Sequence, residues 1–182
     1  GSGIIHSEMP AMYGGRLHGF QLWINMPAKS KMNKPDYIYI DSDKMQIHKD
    51  DEKQVKVIAG KFENAEGPVK GHNVEPVYFD IELKKDKKFI FQLPLSHNTF
   101  IYLINGEMKI GNQNHKKIKD STLILLTKGK KVKVSAISNS KFLIISGKPI
   151  GEKIARGGPF VMNTKAEILQ AVQDYHNGTF VK

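Results

Sequence analysis

The pattern that most constrains the fold of this chain is a series of short β-branched and aromatic runs that begins after Gln54. Turn-forming residues and lysines separate the runs at regular intervals, and this spacing predicts an antiparallel sandwich or barrel. In the run KVKVSAI, polar and apolar residues alternate, so one face is buried and the other is solvated. Asn105-Gly106 predicts a two-residue hairpin turn. The runs are VKVIAG, PVYFDIEL, KFIFQLP, TFIYLING, EMKIG, STLILLT, KVKVSAI and KFLIISG.

One amphipathic helix is predicted near the C-terminus. Thr164 and Glu167 form the T-x-x-E pattern of a capping box, and Gly178 can end the helix. Four apolar side chains share one helical face: Ile168, Ala171, Val172 and Tyr175. The sequence therefore predicts an all-β chain with a single C-terminal helix on the outside of a barrel.

Composition limits the classes of function. The 182 residues carry a net charge of +10, almost all of it from lysine, since Arg16 and Arg156 are the two arginines. Base readout relies on arginine, so we expect a solvated lysine-rich surface without direct nucleic-acid binding, and an acidic partner is the alternative. No apolar run reaches the roughly 18 residues of a membrane span. The absence of cysteine excludes disulfides and cysteine-ligated metals. These features favour a cytoplasmic protein without membrane contact.

The chain opens with His6-Ser7-Glu8. On a strand, residues two apart face the same side, so the imidazole and the carboxylate would converge. Such a pair suits Fe(II), Mn(II) or another divalent ion that accepts mixed nitrogen and oxygen ligands. An H-x-E pair also occurs by chance, and two ligands are fewer than the three or four protein ligands of a typical catalytic site. Metal binding at His6 and Glu8 and a chance pair are the two alternatives.

Asp80 and Glu82 alternate on one strand face in YFDIEL. They are either paired acids or part of a solvated face, and the sequence favours the solvated face.

Five segments, in this order, resemble the pirin family: GSGIIHSEMP, LHGFQLWIN, IAG, FIYLINGEMKIG and GPFVMNTKAEI. The resemblance runs along essentially the whole chain. Its most specific features are G-I-x-H-x-E before a G-F-Q-L-W strand and GPFVMNT before a capped helix. The resemblance implies a bicupin, in which two cupin β-barrels pack together. It also implies that the N-terminal barrel binds one iron through three His and one Glu, and that the C-terminal barrel is usually metal-free.

The resemblance assigns His6 and Glu8 to the last two iron ligands. The first two ligands of the family come from an upstream H-P-H segment that this sequence does not contain. We therefore expect the chain to lack roughly the first third of a family member, and to hold Fe(II) or another divalent metal weakly or not at all. The expected parts are a remnant of the metal-binding barrel plus linker over 1–45, the metal-free cupin barrel over 46–150, and a tail with the helix over 151–182.

His97 lies just before the strand of TFIYLING. Metal-binding barrels of the cupin type place H-x-H followed by Glu at this kind of location. Here Thr99 takes the second position, and Ile101, Tyr102 and Leu103 stand where the acid would be. We predict a turn histidine at the entry of an apolar strand, in a degenerate barrel that holds no metal.

The resemblance implies three alternatives for function. In the first, the chain belongs to a quercetin 2,3-dioxygenase that opens a flavonol ring with dioxygen at a non-haem metal; His6 and Glu8 are then ligands, and Glu8 also accepts the flavonol proton. In the second, it is an iron-responsive regulator that acts on transcription or on a metabolic enzyme through protein contacts. In the third, it is a relic without metal chemistry.

An incomplete N-terminal barrel has open strand edges and an exposed interior. We therefore expect self-association or a protein partner to cover Phe20, Leu22 and Trp23, with the C-terminal helix as a further alternative.

Overall fold

The fold is described from a computed structural model of the chain, over residues 1–8, 14–15, 17–70, 73–111 and 117–181. The sequence also predicts a glycine-rich turn at Tyr13-Gly14-Gly15, of which Tyr13 lies outside the described residues, as does Arg16. The chain forms two compact units. Unit 1 combines Gly1–Ile38 with Ile150–Lys182, and unit 2 is Tyr39–Pro149.

In the part of unit 2 that the structure describes there are twelve strands and a short 3₁₀ turn, Ser42–Lys44. In chain order these strands are β1 (Gln46–Lys49), β2 (Lys53–Ala59), β3 (Lys61–Phe62), β4 (Ala65–Glu66), β5 (Val77–Leu83), β6 (Lys88–Gln92), β7 (Asn98–Asn105), β8 (Glu107–Ile110), β9 (Ile118–Lys119), β10 (Thr122–Leu125), β11 (Lys131–Ala136) and β12 (Ser140–Gly147).

Two antiparallel sheets make up most of unit 2. The larger has six strands in the order β1-β2-β5-β12-β7-β10, and the smaller has four in the order β6-β11-β8-β9. Strands β3 and β4 form a separate two-stranded ribbon. The predicted all-β architecture is confirmed, and the order of the strands shows that neighbours in the sheets are mostly distant in the sequence.

The core of unit 2 lies between the inner faces of the two sheets. In β11, Val132, Val134 and Ala136 are buried while Lys131 is exposed, as the alternation of KVKVSAI predicts. Each large apolar side chain that is fully buried contributes about 1.5–3 kcal/mol through the hydrophobic effect. The largest fully buried side chains are Phe79, Phe89, Phe142, Ile81, Leu83, Ile101, Leu103, Met108, Ile144, Val55, Val57 and Val134.

The turn at Asn105-Gly106 differs from its prediction. Strand β7 ends at Asn105 and β8 begins at Glu107, but β7 pairs with β12 and β10, whereas β8 pairs with β11 and β9. The chain therefore passes from one sheet to the other here, and the predicted hairpin is wrong. Gly106 has a φ of 96°, and a Cβ at this position would lie 2.5 Å from the Asn139 carbonyl oxygen. Glycine is needed for this corner because the backbone is left-handed and another loop approaches closely.

Over its described residues, unit 1 contains two strands and two helices. The strands β13 (Ala155–Gly157) and β14 (Phe160–Met162) form a hairpin. Helix α1 (Ala28–Lys31) is a single turn, and α2 (Lys165–His176) is the predicted C-terminal helix. A Cβ at Gly157 would lie 2.5 Å from Ile168 Cγ2, so the hairpin and α2 pack closely together. No helix among the described residues is long and apolar enough to cross a membrane.

The expected strands in GIIHSE and FQLWIN are not formed. Over the described part of residues 1–27 the backbone has no ladder partner, and only the amide of Ser2 bonds to a distant carbonyl, that of Asn33 at 2.7 Å. A strand exists only where its N–H and C=O groups pair with a neighbouring chain segment. The extended sequence pattern of these segments is therefore not sufficient to make them strands in this chain.

The capping box of α2 gives a first prediction. The Thr164 hydroxyl accepts the Glu167 amide at 3.2 Å, and the Glu167 carboxylate accepts the Thr164 amide at 2.7 Å. Thr164→Ala removes a side-chain acceptor at the helix start and should cost about 1 kcal/mol of stability in unit 1. Trp23 is the one tryptophan in the chain, so urea unfolding followed by its fluorescence measures this loss. Thr164→Ser is the control, and an equal loss in both variants would contradict a capping role.

Candidate metal centre

His6 and Glu8 lie in unit 1, in a segment without secondary structure, and both are exposed to solvent. The ring of His6 lies 5.9 Å from the ring of Tyr37, centroid to centroid. His6 also lines a cavity of about 1020 Å³ that is formed entirely by unit 1 residues. The prediction that the side chains of His6 and Glu8 converge assumed that they lie on a strand. Residues 1–8 form no strand in the structure.

Glu8 is held by a chain of side chains that the sequence pattern did not indicate. Gln21 Nε2 donates to Glu8 Oε1 at 2.5 Å, and Trp23 Nε1 donates to Gln21 Oε1 at 3.2 Å. The guanidinium of Arg156 lies over the Trp23 ring, 5.3 Å from its centroid. A carboxylate only accepts and an indole N–H only donates, so the amide of Gln21 can join both in one orientation. The carboxylate of Glu8 is thereby oriented by residues 21 and 23.

His6 and Glu8 do not form a complete ligand set by themselves. Within the described residues, no group of three or more His, Asp or Glu side chains is arranged to hold a metal ion. The donor types, an imidazole nitrogen and a carboxylate oxygen, suit Fe(II) or Mn(II). Their number is too small, because a site with two protein donors leaves the remaining positions to water or to groups from elsewhere.

His97 is the most buried histidine of the described chain, with 5% of its surface exposed. Its backbone amide closes a turn on the Pro94 carbonyl at 3.0 Å, just before β7. Its Nδ1 lies 3.3 Å from Ser146 Oγ, which in turn lies 2.9 Å from Thr99 Oγ1. Ser146 and Thr99 are directly opposite one another on β12 and β7. His97 thus belongs to a small hydrogen-bonded group between neighbouring strands.

The other ring nitrogen of His97 has no hydrogen bond. Nε2 is buried and lies 3.9 Å from Glu75 Oε2, beyond hydrogen-bond distance. Burial lowers the pKa of His97 below its ordinary value; the nearby Glu75 carboxylate opposes this change, and Lys128 and Lys148 add to it. The neutral imidazole is therefore favoured in the folded state.

This depressed pKa predicts a pH dependence of stability. The unfolded state binds a proton at His97 near pH 6.5, above the folded pKa, so stability is full above about pH 6.5 and falls as the pH drops toward the folded pKa. Far-UV circular dichroism follows unit 2, which contains nearly all of the strands. We expect urea midpoints of the native chain to fall between pH 7.5 and 5.5, and His97→Gln to flatten this slope. His176→Gln, which changes an exposed histidine, is the control and should keep the native slope. If His97→Gln also keeps the native slope, His97 is not the source of the pH dependence.

Asp80 and Glu82 belong to a surface ion-pair cluster. Lys141 on β12 pairs with two acids on the neighbouring strand β5. Its Nζ lies 3.1 Å from Glu82 Oε1 and 3.7 Å from Asp80 Oδ2. The two carboxylates thus flank a lysine on a half-solvated face, and the structure gives them no site of their own.

The family model of the pirin C-terminal cupin domain matches residues 78–181, which is more than half of the chain. The chain belongs to the pirin family. A pirin-like protein of Caulobacter vibrioides is 35% identical over 182 residues, which cover 99% of this chain and 65% of that protein. Pirin-1 of Arabidopsis thaliana is 37% identical over 97% of this chain and 62% of that protein. The chain thus spans less than two thirds of either pirin.

A solved structure agrees with the pirin assignment. The crystal structure of a quercetin 2,3-dioxygenase from Acinetobacter baumannii superposes with a TM-score of 0.79 and 30% sequence identity. The superposition covers 88% of this chain and 56% of that chain. The cupin-type fold predicted from the resemblance is therefore confirmed.

Proposed function

We propose that this chain is part of a pirin-type non-haem metal dioxygenase that acts on a flavonol with dioxygen, and that His6 and Glu8 are two of its metal ligands. The likeness of the fold to a quercetin 2,3-dioxygenase over 88% of the chain is the observation that carries this proposal. The metal would be Fe(II) or another divalent ion, because the two donors are an imidazole and a carboxylate. Further donors must join these two for tight binding.

Glu8 is the proposed acid–base group as well as a ligand. Gln21 occupies Glu8 Oε1, and among the described residues Oε2 has no hydrogen-bond partner. This second oxygen can therefore accept the hydroxyl proton of a flavonol or bind a metal. Gln21 and Trp23 hold the carboxylate in one orientation, as such supporting hydrogen bonds commonly do around metal ligands.

The proposal is tested by quercetin turnover. The chain, its intact mass checked, is supplied anaerobically with excess Fe(II) and then mixed with quercetin and dioxygen. Loss of the flavonol absorbance and oxygen uptake should exceed those of the same Fe(II) without protein. Glu8→Gln should abolish the excess, and His18→Ala, an exposed histidine of the same unit, should leave it unchanged. A rate equal to that of free Fe(II) would overturn the proposed activity for this chain.

A second candidate function is an iron-responsive regulator that binds another protein. Large apolar side chains are exposed in the N-terminal segment of unit 1, including Ile5 at 63%, Leu17 at 59% and Trp23 at 54%. Several large exposed apolar side chains in one segment can serve as a contact surface. The second candidate differs from the first because partner binding would survive substitution of Glu8.

The exposed apolar segment predicts self-association or dye binding. Sedimentation velocity of the native chain should show species larger than a monomer, or anilinonaphthalene sulfonate should gain fluorescence on mixing. Leu17→Ser combined with Ile5→Ser should weaken either signal, because both side chains are more than half exposed. A monomer that binds no dye would show that these side chains attract neither a second copy nor a partner.

A further inference from the structure

Unit 1 contains a half-open cleft of about 1020 Å³, slightly larger than the roughly 300–1,000 Å³ of small-molecule sites. Its walls are mostly apolar and come from both ends of the chain. The apolar lining residues include Ile4, Ile5, Trp23, Ile24, Met26, Phe160, Met162, Val172 and Phe180. Walls of this kind favour an aromatic or aliphatic molecule.

One charged side chain of the cavity wall is buried. Lys31, the last residue of α1, has 6% of its surface exposed and lines the cavity. Its ammonium group donates to Asn25 Oδ1 at 2.6 Å and to the Val161 carbonyl at 3.1 Å. Both acceptors are neutral, so two of the three N–H groups are bonded while the positive charge has no direct counter-ion.

The two carboxylates that attract the charge of Lys31, those of Glu152 and Glu167, each have one oxygen hydrogen-bonded to other groups. Glu152 Oε2 accepts from the Ala28 amide at 2.8 Å and from Asn163 Nδ2 at 2.9 Å. Glu167 Oε2 is occupied by the capping box of α2. Within the part of the chain that the structure describes, no carboxylate forms an ion pair with Lys31.

A buried charge without a direct counter-ion is costly. Burial lowers the pKa of Lys31 below its ordinary value, and Glu152 and Glu167 oppose this change through longer-range attraction. Besides Glu167, the acids that line the cavity are Asp36 and Asp174. Both reach solvent, and Asp174 accepts the Gln170 amide at 2.7 Å. Lys31 is therefore the charged group of the wall that gains most from a ligand of opposite charge.

We propose that the unit 1 cavity binds a small aromatic or aliphatic molecule that carries one anionic oxygen group, a carboxylate or a phenolate, and that Lys31 pairs with this group. The apolar walls hold the body of the molecule, and the third N–H of Lys31 is available to donate to its anionic oxygen. His6, a proposed metal ligand, also lines this cleft, but pairing with Lys31 needs no metal. The proposal therefore goes beyond the dioxygenase function, and it is tested with metal removed.

The experiment is isothermal titration calorimetry of the native chain with 2-naphthoate and with 2-naphthamide, both in EDTA. The two probes have nearly the same shape and differ in charge. We expect naphthoate to bind about tenfold more tightly or better, as is usual for a hydrogen bond to a charged group. Equal affinities, or no detectable binding of either probe, would overturn the proposal.

Variants of Lys31 test whether its positive charge is responsible for the preference for naphthoate. Lys31→Met should reduce naphthoate affinity to that of naphthamide, whereas Lys29→Met, which removes an exposed lysine of the same helix, should change neither affinity. Lys31→Gln removes the charge but retains an N–H donor for Asn25 or Val161, so it serves if the methionine variant fails to fold. A preference for naphthoate that survives in a folded Lys31 variant would also overturn the proposal. Because EDTA is present throughout, a failed quercetin assay does not affect this result.

Discussion

Phe79→Ala is expected to lower the free energy of unfolding of unit 2 by about 3–5 kcal/mol, the usual cost of removing a buried phenylalanine ring. Phe79 is fully buried on β5. Its ring meets that of Phe91 edge-on at 4.9 Å and that of Phe62 at 5.9 Å, so truncation removes two aromatic contacts as well as apolar area. A small domain has only about 5–15 kcal/mol of stability in total. The variant should therefore lose a large fraction of the stability of unit 2.

Urea unfolding followed by far-UV circular dichroism measures this loss. Phe79→Leu retains most of the volume and should cost less than about 1.5 kcal/mol. Leu125→Ala changes a side chain that is 76% exposed on β10 and should stay within about 1 kcal/mol, the span of strand propensities. If Phe79→Ala loses no more than Leu125→Ala, the two sheets of unit 2 do not share the core described for them.

The features that were predicted correctly are local. Alternation in KVKVSAI determines which side chains of β11 face the core, since residues two apart in a strand always share a face. The capping box of α2 depends on Thr164 and Glu167, which are three residues apart. Both features follow from neighbours in the sequence, so the sequence alone was sufficient.

The choice of strand partners could not be predicted in the same way. Asn105-Gly106 makes a tight turn, as expected, but the strands on its two sides pair in different sheets. Strand β7 pairs with β12, which is more than thirty residues away in the sequence. Packing of the whole core selects this partner. The two-residue turn signal fixes the local bend and says nothing about this selection.

The site residues show the same limit. The sequence indicated His6 and Glu8 by type and spacing, but not Gln21, whose amide joins Glu8 to Trp23. It also placed the lysines on a solvated surface, whereas Lys31 is buried because Asn25 and Val161 supply its acceptors. Val161 lies 130 residues from Lys31, so no local pattern could have revealed this contact.

His6→Ala should lower the affinity of the chain for Fe(II) by at least about tenfold, because even groups that only support metal ligands commonly contribute ten- to hundredfold. Anaerobic equilibrium dialysis against Fe(II) is the appropriate measurement, since two donors bind too weakly for the metal to survive desalting. The far-UV spectrum of His6→Ala should match that of the native chain, because His6 is exposed and lies in unit 1.

A double-mutant cycle separates one shared ion from two independent weak sites. If His6 and Glu8 bind the same ion, His6→Ala and Glu8→Ala each remove most of the binding and the double variant adds little, because coupled groups are not additive. If they bind separate ions, the losses of binding free energy in the two single variants add up in the double variant. His18→Ala should leave the affinity unchanged, since this exposed histidine lies beside Phe20 with a ring distance of 5.3 Å and outside the proposed ligand set. Full retention of Fe(II) by His6→Ala would remove His6 from the ligand set, and with it the metal chemistry proposed for this end of the chain.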